Sequence, residues 1–191
     1  MTSIKQNISI IVIGTSAGGI PLLLNIFSNL PTSFHIPIIL VQHISKANST
    51  GYIPILEQSS QLPIIEAYDK MPITPGHIFV APPEYHILVE ENKSLSIGLF
   101  DPVCYSRPSV DVLFESAAEV YQHECLGIIL SGANADGAKG LKHIAKYKGT
   151  CIIQDPNEAE FSRMPKSAMK ESKVAQILTL NNIITVLLNL K

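Results

Sequence analysis

Short runs of apolar, often β-branched residues alternate along the chain with stretches that have helical periodicity. This alternation favours parallel strands joined by crossover helices, because a parallel sheet is buried on both faces. The predicted fold class is therefore α/β, a doubly wound, mostly parallel sheet with helices on both faces. The predicted strands are residues 8–13, 36–41, 126–130, 151–154 and 176–178, and the predicted helices are residues 20–30, 52–60, 108–121, 137–146, 165–170 and 183–190.

The middle of the chain interrupts this pattern. Pro75-Gly76 introduces the apolar segment 77–81, and segments 85–90 and 95–99 then flank the turn-like residues 91–93. Two apolar runs around a short polar turn are typical of a hairpin, so we interpret this region as a β-hairpin insertion. A length of 191 residues suits one large domain, and we predict a single domain over residues 1–191.

Charge and apolar-run length exclude two classes of partner. Charged residues make up only 16% of the chain and the formal net charge is -2, so we expect no nucleic-acid binding. The longest apolar runs fall far short of the ~20 residues needed to cross a bilayer. Residues 1–7 are polar and lack the features of a secretory signal. We therefore predict a cytoplasmic protein without membrane insertion.

Cysteine usage gives no sign of a metal site or a disulfide framework. Cys104, Cys125 and Cys151 are an odd number and lack the spacing of metal ligands, so we predict that they are core thiols. We expect neither a metal nor an organic cofactor.

The carboxyl ends of the predicted strands are where a ligand site is expected, since loops and helix N-termini converge there. Ser16 lies in a glycine-flanked turn between the first strand and the first helix. A dinucleotide-binding turn is the alternative, because Gly14 and Gly19 match the outer glycines of G-x-G-x-x-G. Ser16 obstructs the middle position of that motif, however, and no ribose-binding acid occurs before Glu57.

A base and an acid for Ser16 can be sought by the same rule. His43 is the one histidine that follows a predicted parallel strand, and its alternative role is to cap the second helix. Asp136 and Asp155 both follow strands, and either could instead cap a helix or turn. Spacing favours Asp136. Ser16, His43 and Asp136 together would catalyse acyl transfer, with the backbone N–H groups of Ala17 and Gly18 stabilising the oxyanion.

Several motifs in one order resemble the chemotaxis receptor methylesterases of the CheB type, over nearly the whole chain from Ile8 onward. The matching segments are Ile-Gly-Thr-Ser-Ala-Gly-Gly at 13–19, Val-Gln-His at 41–43, Val-Ala-Pro at 80–82, Arg-Pro-Ser-Val-Asp-Val-Leu-Phe at 107–114, the loop from Leu130-Ser131-Gly132 to Asp136-Gly137, and Gln154-Asp155-Pro156 followed by Met164-Pro165.

The resemblance implies that the catalytic serine, histidine and aspartate fall on Ser16, His43 and Asp136, which decides against Asp155. It also implies hydrolysis of γ-glutamyl methyl esters on the cytoplasmic helices of methyl-accepting chemoreceptors, and deamidation of glutamines by the same route. The alternatives are a catalytically weak receptor-binding module and a small-molecule carboxylesterase.

The sequence departs from the family pattern in three places. Ala17 follows the predicted nucleophile where threonine is common, and Ala133 and Asn134 stand where methionine and glycine are usual. We expect these changes to alter rate and substrate range and to leave the reaction class unchanged. The third departure is the N-terminal receiver domain typical of the family, which is not found in this sequence. We therefore expect either a free-standing esterase, whose control would need a separate regulatory protein, or a fragment of a longer chain.

Overall fold

The computed structural model describes residues 7–44 and 51–190, so the prediction about residues 1–7 falls mostly outside these ranges. The strands are β1 (Ile10–Thr15), β2 (Ile38–Gln42), β3 (Ile64–Glu66), β4 (Ile78–Val80), β5 (His86–Val89), β6 (Leu95–Gly98), β7 (Cys125–Ile129), β8 (Thr150–Gln154) and β9 (Gln176–Leu178). The helices are α1 (Gly19–Asn29), α2 (Tyr52–Ser59), α3 (Val110–Tyr121), α4 (Ala138–Lys146), α5 (Arg163–Glu171) and α6 (Leu180–Leu188).

Seven of the strands form one sheet in the order β3-β4-β2-β1-β7-β8-β9, and every neighbouring pair is parallel. β1 is central, with β2 on one side and β7 on the other. The remaining strands, β5 and β6, pair as a separate antiparallel hairpin. The predicted fold class, a doubly wound parallel sheet with a hairpin insertion, is confirmed.

Alternate residues of the central strands supply two apolar cores, one on each face of the sheet. Ile11 and Ile13 of β1 belong to the core that includes residues of α1, α2 and α6. Ile10 and Val12 belong to the core that includes residues of α3, α4 and α5. All four side chains are fully buried. Burial of both faces explains why these strands appear in the sequence as continuous apolar runs.

The structure corrects our interpretation of the middle segment. Residues 77–81, which we placed in the hairpin excursion, contain β4, a strand of the main sheet between β3 and β2. β3 was not predicted; it is a three-residue edge strand formed by pairing with β4. The place of β3 in the sheet depends on this pairing.

The hairpin packs against α3 and forms two hydrogen bonds with residues of that helix and its N-cap. The Val89 N–H donates to Ser116 Oγ at 3.1 Å, and the Ser109 N–H donates to His86 Nδ1 at 3.2 Å. The hairpin therefore supports the N-terminus of α3, which faces the site described below.

One cysteine prediction is wrong. Cys125 and Cys151 are buried as expected, but Cys104 is exposed, in the loop between β6 and α3. Within residues 7–44 and 51–190, no helix has both the length and the apolar character needed to span a membrane.

Candidate active site

Ser16 lies directly after the central strand β1, in a sharp turn that leads into α1. Its N–H donates to the Ser131 carbonyl at 3.0 Å, and its own carbonyl accepts the Gly19 N–H at 3.0 Å. Gly18 caps α1 with φ 74°, and a Cβ there would lie 2.8 Å from Ser131 Oγ. A glycine is needed at this point because an L side chain would be strained and would crowd the next loop. The turn thereby leaves the Ser16 side chain partly exposed.

The N–H groups of Ala17 and Gly18 donate no hydrogen bond to any residue in the described ranges. They lie at the start of α1, where unpaired N–H groups and the helix dipole favour negative charge. The structure thus places two unpaired donors beside Ser16, and their role in binding an oxyanion stays a prediction.

Gln42 ties the loop of Ser16 to the loop of His43. Its Nε2 donates to the Ser16 carbonyl at 2.9 Å and to the His43 carbonyl at 3.0 Å, and the residue is only 5% exposed. The His43 N–H also donates to the Thr15 carbonyl at 3.0 Å. These bonds give the two loops a defined separation. Sequence reasoning did not identify Gln42 as part of the site.

Asp136 is held at the N-terminus of α3 by a set of donors that surrounds its carboxylate. Oδ1 accepts the Ser109 hydroxyl at 2.8 Å and the N–H groups of Asp111 and Gly137 at 3.1 and 3.0 Å. Oδ2 accepts the Val110 N–H at 2.7 Å. The residue is 1% exposed, so these donors replace the water that an ionised carboxylate requires.

Burial alone would raise the pKa of Asp136. The attraction of His43 and the N–H groups of Val110 and Asp111 outweigh that effect and hold the pKa below its usual value. The carboxylate is therefore ionised at neutral pH even though it is buried.

His43 faces this carboxylate with one ring nitrogen and Asn134 with the other. His43 Nε2 lies 2.9 Å from Asp136 Oδ2, in a contact that is chiefly electrostatic because the ring N–H is poorly aligned with the oxygen. His43 Nδ1 lies 2.8 Å from Asn134 Nδ2. Within the described residues, the Ser16 hydroxyl forms no hydrogen bond with the imidazole. The side chain of His43 is 12% exposed.

In the part of the chain that the structure describes, His43 lines one open cavity and a second, smaller one. The larger has a volume of about 380 Å³ and the smaller about 250 Å³. The larger is lined by Ser16, Ala17, Gly18, Gly19, Ile20, Pro21, Gln42, His43, Ile44 and Glu160. A substrate in the larger cavity would thus contact the serine, the histidine and the two unpaired N–H groups.

Two residues behind Asp136 were missed by the sequence reasoning. Ser109 appeared only within a family-like segment, and His86 lies in the segment 85–90 that we interpreted as part of the hairpin. Ser109 bonds the Asp136 carboxylate through its hydroxyl and His86 through its N–H. Burial lowers the pKa of His86, which favours the neutral ring that accepts this N–H. Because His86 lies on the antiparallel hairpin, the search at the carboxyl ends of parallel strands did not select it.

Asp155, the other candidate acid, does something different. Its Oδ1 accepts the Asn157 N–H at 2.9 Å, which is the turn-capping alternative considered above. Asp111 offers another carboxylate near Asp136. Cys104, Asp111 and Asp136 form a group whose possible metal-ligand atoms lie within 4.8 Å of one another. Both Asp136 oxygens already accept protein donors, so this group is better suited to hydrogen bonding than to holding a cation.

A serine, an imidazole and an ionised carboxylate at the carboxyl edge of a parallel sheet are typical of one class of protein, the hydrolases that work through an acyl-serine intermediate. Comparison with known proteins identifies the family. The family model described as CheB methylesterase matches residues 11–187. The chain belongs to the CheB methylesterase family. This confirms the resemblance noted in the sequence and the assignment to the hydrolases.

Relatives and a solved structure agree with the family assignment. A protein of Leptospira interrogans (strain Fiocruz L1-130), provisionally named protein-glutamate methylesterase/protein-glutamine glutaminase, is 45% identical over 178 residues, which are 93% of this chain and 92% of that one. A Nitrosospira multiformis protein of the same name, without that qualification, is 34% identical over 95% of this chain and 51% of its own, so this chain spans about half its length. The crystal structure of the Thermotoga maritima CheB methylesterase catalytic domain matches with a TM-score of 0.90 and 32% identity, over 97% of this chain and 100% of that one.

Proposed function

We propose that this protein is a cytoplasmic protein-glutamate methylesterase that hydrolyses γ-glutamyl methyl esters on the cytoplasmic helices of methyl-accepting chemoreceptors. We also propose that it deamidates glutamines on the same helices. The proposal is carried by the placement of Ser16, His43 and Asp136 after three adjacent strands, β1, β2 and β7. Ser16 and His43 line one cavity, and Asp136 lies 2.9 Å from His43 Nε2. The substrate is suggested by the names of the relatives and by the family resemblance.

The proposed reaction begins with attack of Ser16 Oγ on the ester carbonyl carbon. Asp136 faces Nε2 of His43, so Nδ1 is the nitrogen that receives the serine proton. The N–H groups of Ala17 and Gly18 stabilise the oxyanion, and Asp136 stabilises the imidazolium. The C–O bond to the methoxy group then breaks, and His43 returns the proton so that methanol leaves.

Water completes the cycle by attacking the acyl-serine. His43 takes a proton from the water, the bond to Ser16 Oγ breaks, and Ser16 recovers its proton while glutamate is released. Deamidation follows the same steps with ammonia as the leaving group. The apolar side chains of Ile20, Pro21 and Ile44 line the cavity and suit the methylene and methyl groups of the ester.

The test is methanol release from a methylated chemoreceptor cytoplasmic fragment by the purified protein. We expect release that is abolished in Ser16→Ala and unchanged in Ser28→Ala, a matched serine whose hydroxyl bonds a backbone carbonyl on the exposed side of α1. Absence of release from folded wild-type protein would contradict the proposal. Hydrolysis of free esters in its place would favour a small-molecule carboxylesterase, and receptor binding without turnover would favour a receptor-binding module. Control by a separate regulatory protein stays a prediction.

A further inference from the structure

Asn134 contacts both members of the proposed histidine–aspartate pair, His43 and Asp136. It lies in the loop between β7 and α4, two residues before Asp136. Its Oδ1 accepts the Asp136 N–H at 3.1 Å, and its Nδ2 lies 2.8 Å from His43 Nδ1. One short side chain therefore contacts both the backbone that carries the acid and the ring of the base.

The backbone bond determines which way the amide of Asn134 points. Exchanging its oxygen and nitrogen would place the NH2 group against the Asp136 N–H, two donors 3.1 Å apart. Nδ2 therefore donates toward His43, and Nδ1 must be an acceptor without a proton. The proton of the neutral ring is then on Nε2, next to the Asp136 carboxylate.

This arrangement leaves His43 without a nitrogen for Ser16. Nε2 faces Asp136 and Nδ1 is occupied by Asn134, which agrees with the lack of a hydrogen bond between the Ser16 hydroxyl and the ring within the described residues. Protonation of Nδ1 would bring its N–H against the Asn134 N–H. The amide must therefore move away before His43 can accept the serine proton.

We propose that Asn134 is a positioning residue that holds His43 in a resting state, and that its release from Nδ1 is a step of every turnover. The inference rests on the proposed function, since it assumes that Ser16 is the nucleophile and His43 its base. The neutral hydrogen bond between Asn134 and His43 must break before Ser16 reacts. We therefore expect Ser16 to react about two- to tenfold more slowly than in a protein without this bond.

Three substitutions separate this role from simple support of the loop. Asn134→Ser keeps an oxygen that can accept the Asp136 N–H but is too short to reach the imidazole. Asn134→Ala removes both contacts. Asn134→Asp keeps the Asp136 bond and presents an oxygen to Nδ1, which would retain a proton there and prevent Nδ1 from acting as a base.

The assay is the rate at which a fluorophosphonate ester modifies Ser16, followed by mass spectrometry with Ser16→Ala as the blank. In this reaction the bond from Ser16 Oγ to phosphorus forms, the P–F bond breaks, fluoride leaves, and the serine proton passes to Nδ1. It depends on the nucleophile and base and does not require a receptor. We expect Asn134→Ser to react about two- to tenfold faster than wild type and Asn134→Asp to react more slowly.

The outcomes distinguish the two proposals. Labelling of Ser16 at equal rates in wild type and Asn134→Ser would overturn the role of Asn134 and leave the proposed function standing. Slower labelling in Asn134→Ser and Asn134→Ala, with Asn134→Asp like wild type, would assign Asn134 to loop support and also overturn it. Labelling in no variant would overturn both proposals. A hydrogen-bond scalar coupling between the Asn134 amide and His43 Nδ1, present in wild type by NMR, is the structural signature expected.

Discussion

Replacing Asp136 by asparagine keeps the shape of the side chain but removes its charge and converts one oxygen into an NH2 group. The carboxylate accepts a hydroxyl and three backbone N–H groups and lies 2.9 Å from His43 Nε2. Whichever way the new amide points, its NH2 group meets at least one of these donors. An NH2 group in place of Oδ2 would face the Val110 N–H, now 2.7 Å from Oδ2, and would also demand the wrong tautomer of His43.

The size of the effect follows from burial. Asp136 is 1% exposed, so water cannot replace the lost contacts. Leaving two buried donors without an acceptor costs about 1–3 kcal/mol each, so we expect a loss of about 3–5 kcal/mol in total. For a protein of this size, we expect the melting temperature to fall by roughly 6–20 °C. Loss of the orienting carboxylate should lower kcat for methanol release by about 10³- to 10⁴-fold.

The pH dependence of the stability difference between wild type and Asp136→Asn is a sharper test than the size of that difference at one pH. Because the pKa of Asp136 is lowered in the folded state, its contribution to stability is complete above the unfolded pKa of about 3.9. It is lost as pH falls through the lower folded value. The difference in unfolding free energy between wild type and Asp136→Asn should therefore be constant from about pH 7 to about pH 5 and should narrow below about pH 4.

The measurement is thermal or denaturant unfolding of both proteins at several pH values, together with methanol release at pH 7. Ser109→Ala is the matched control, since it removes one donor and keeps the charge, and we expect it to cost about 1–2 kcal/mol. A difference that stays constant at pH 3, or that grows on acidification, would refute the conclusion that the buried carboxylate is ionised and stabilising.

Three further substitutions test other parts of the site. Gln42→Leu removes the amide that joins the serine and histidine loops, so kcat/KM for methanol release should fall by roughly tenfold; an unchanged value would show that these bonds do not position the loops. Gly14→Ala would overlap Val110 Cγ1 and displace a donor of Asp136, with an expected cost of about 1–3 kcal/mol in unfolding by urea; a neutral effect would contradict this packing. Burial raises the pKa of Asp111 to about 6, so wild type loses stability as pH rises from about 4 through 6. Asp111→Asn cannot ionise, so its melting temperature relative to wild type should be higher at pH 7.5 than at pH 5; equal differences would contradict the shift.

Much of the architecture could be predicted because local sequence patterns reflect local burial. Apolar runs identified five of the seven strands of the main sheet, although the first began at Ile10 and not at residue 8. The rule that ligands gather at the carboxyl ends of parallel strands selected Ser16 and His43. The family resemblance then selected Asp136 over Asp155, which caps a turn.

The sequence by itself thus determined the strands with strong apolar runs, the glycine turn at Ser16 and the polar residues at the strand ends, because those features depend on near neighbours in the chain. Only the tertiary structure decided that β2, β1 and β7 lie side by side, that β3 exists, and that α3 directs its N–H groups at Asp136. The same holds for the contact of Asn134 with His43, which are 91 residues apart in sequence. Such contacts arise from the order of strands in the sheet and from the packing of an insertion against it, and no local pattern encodes either.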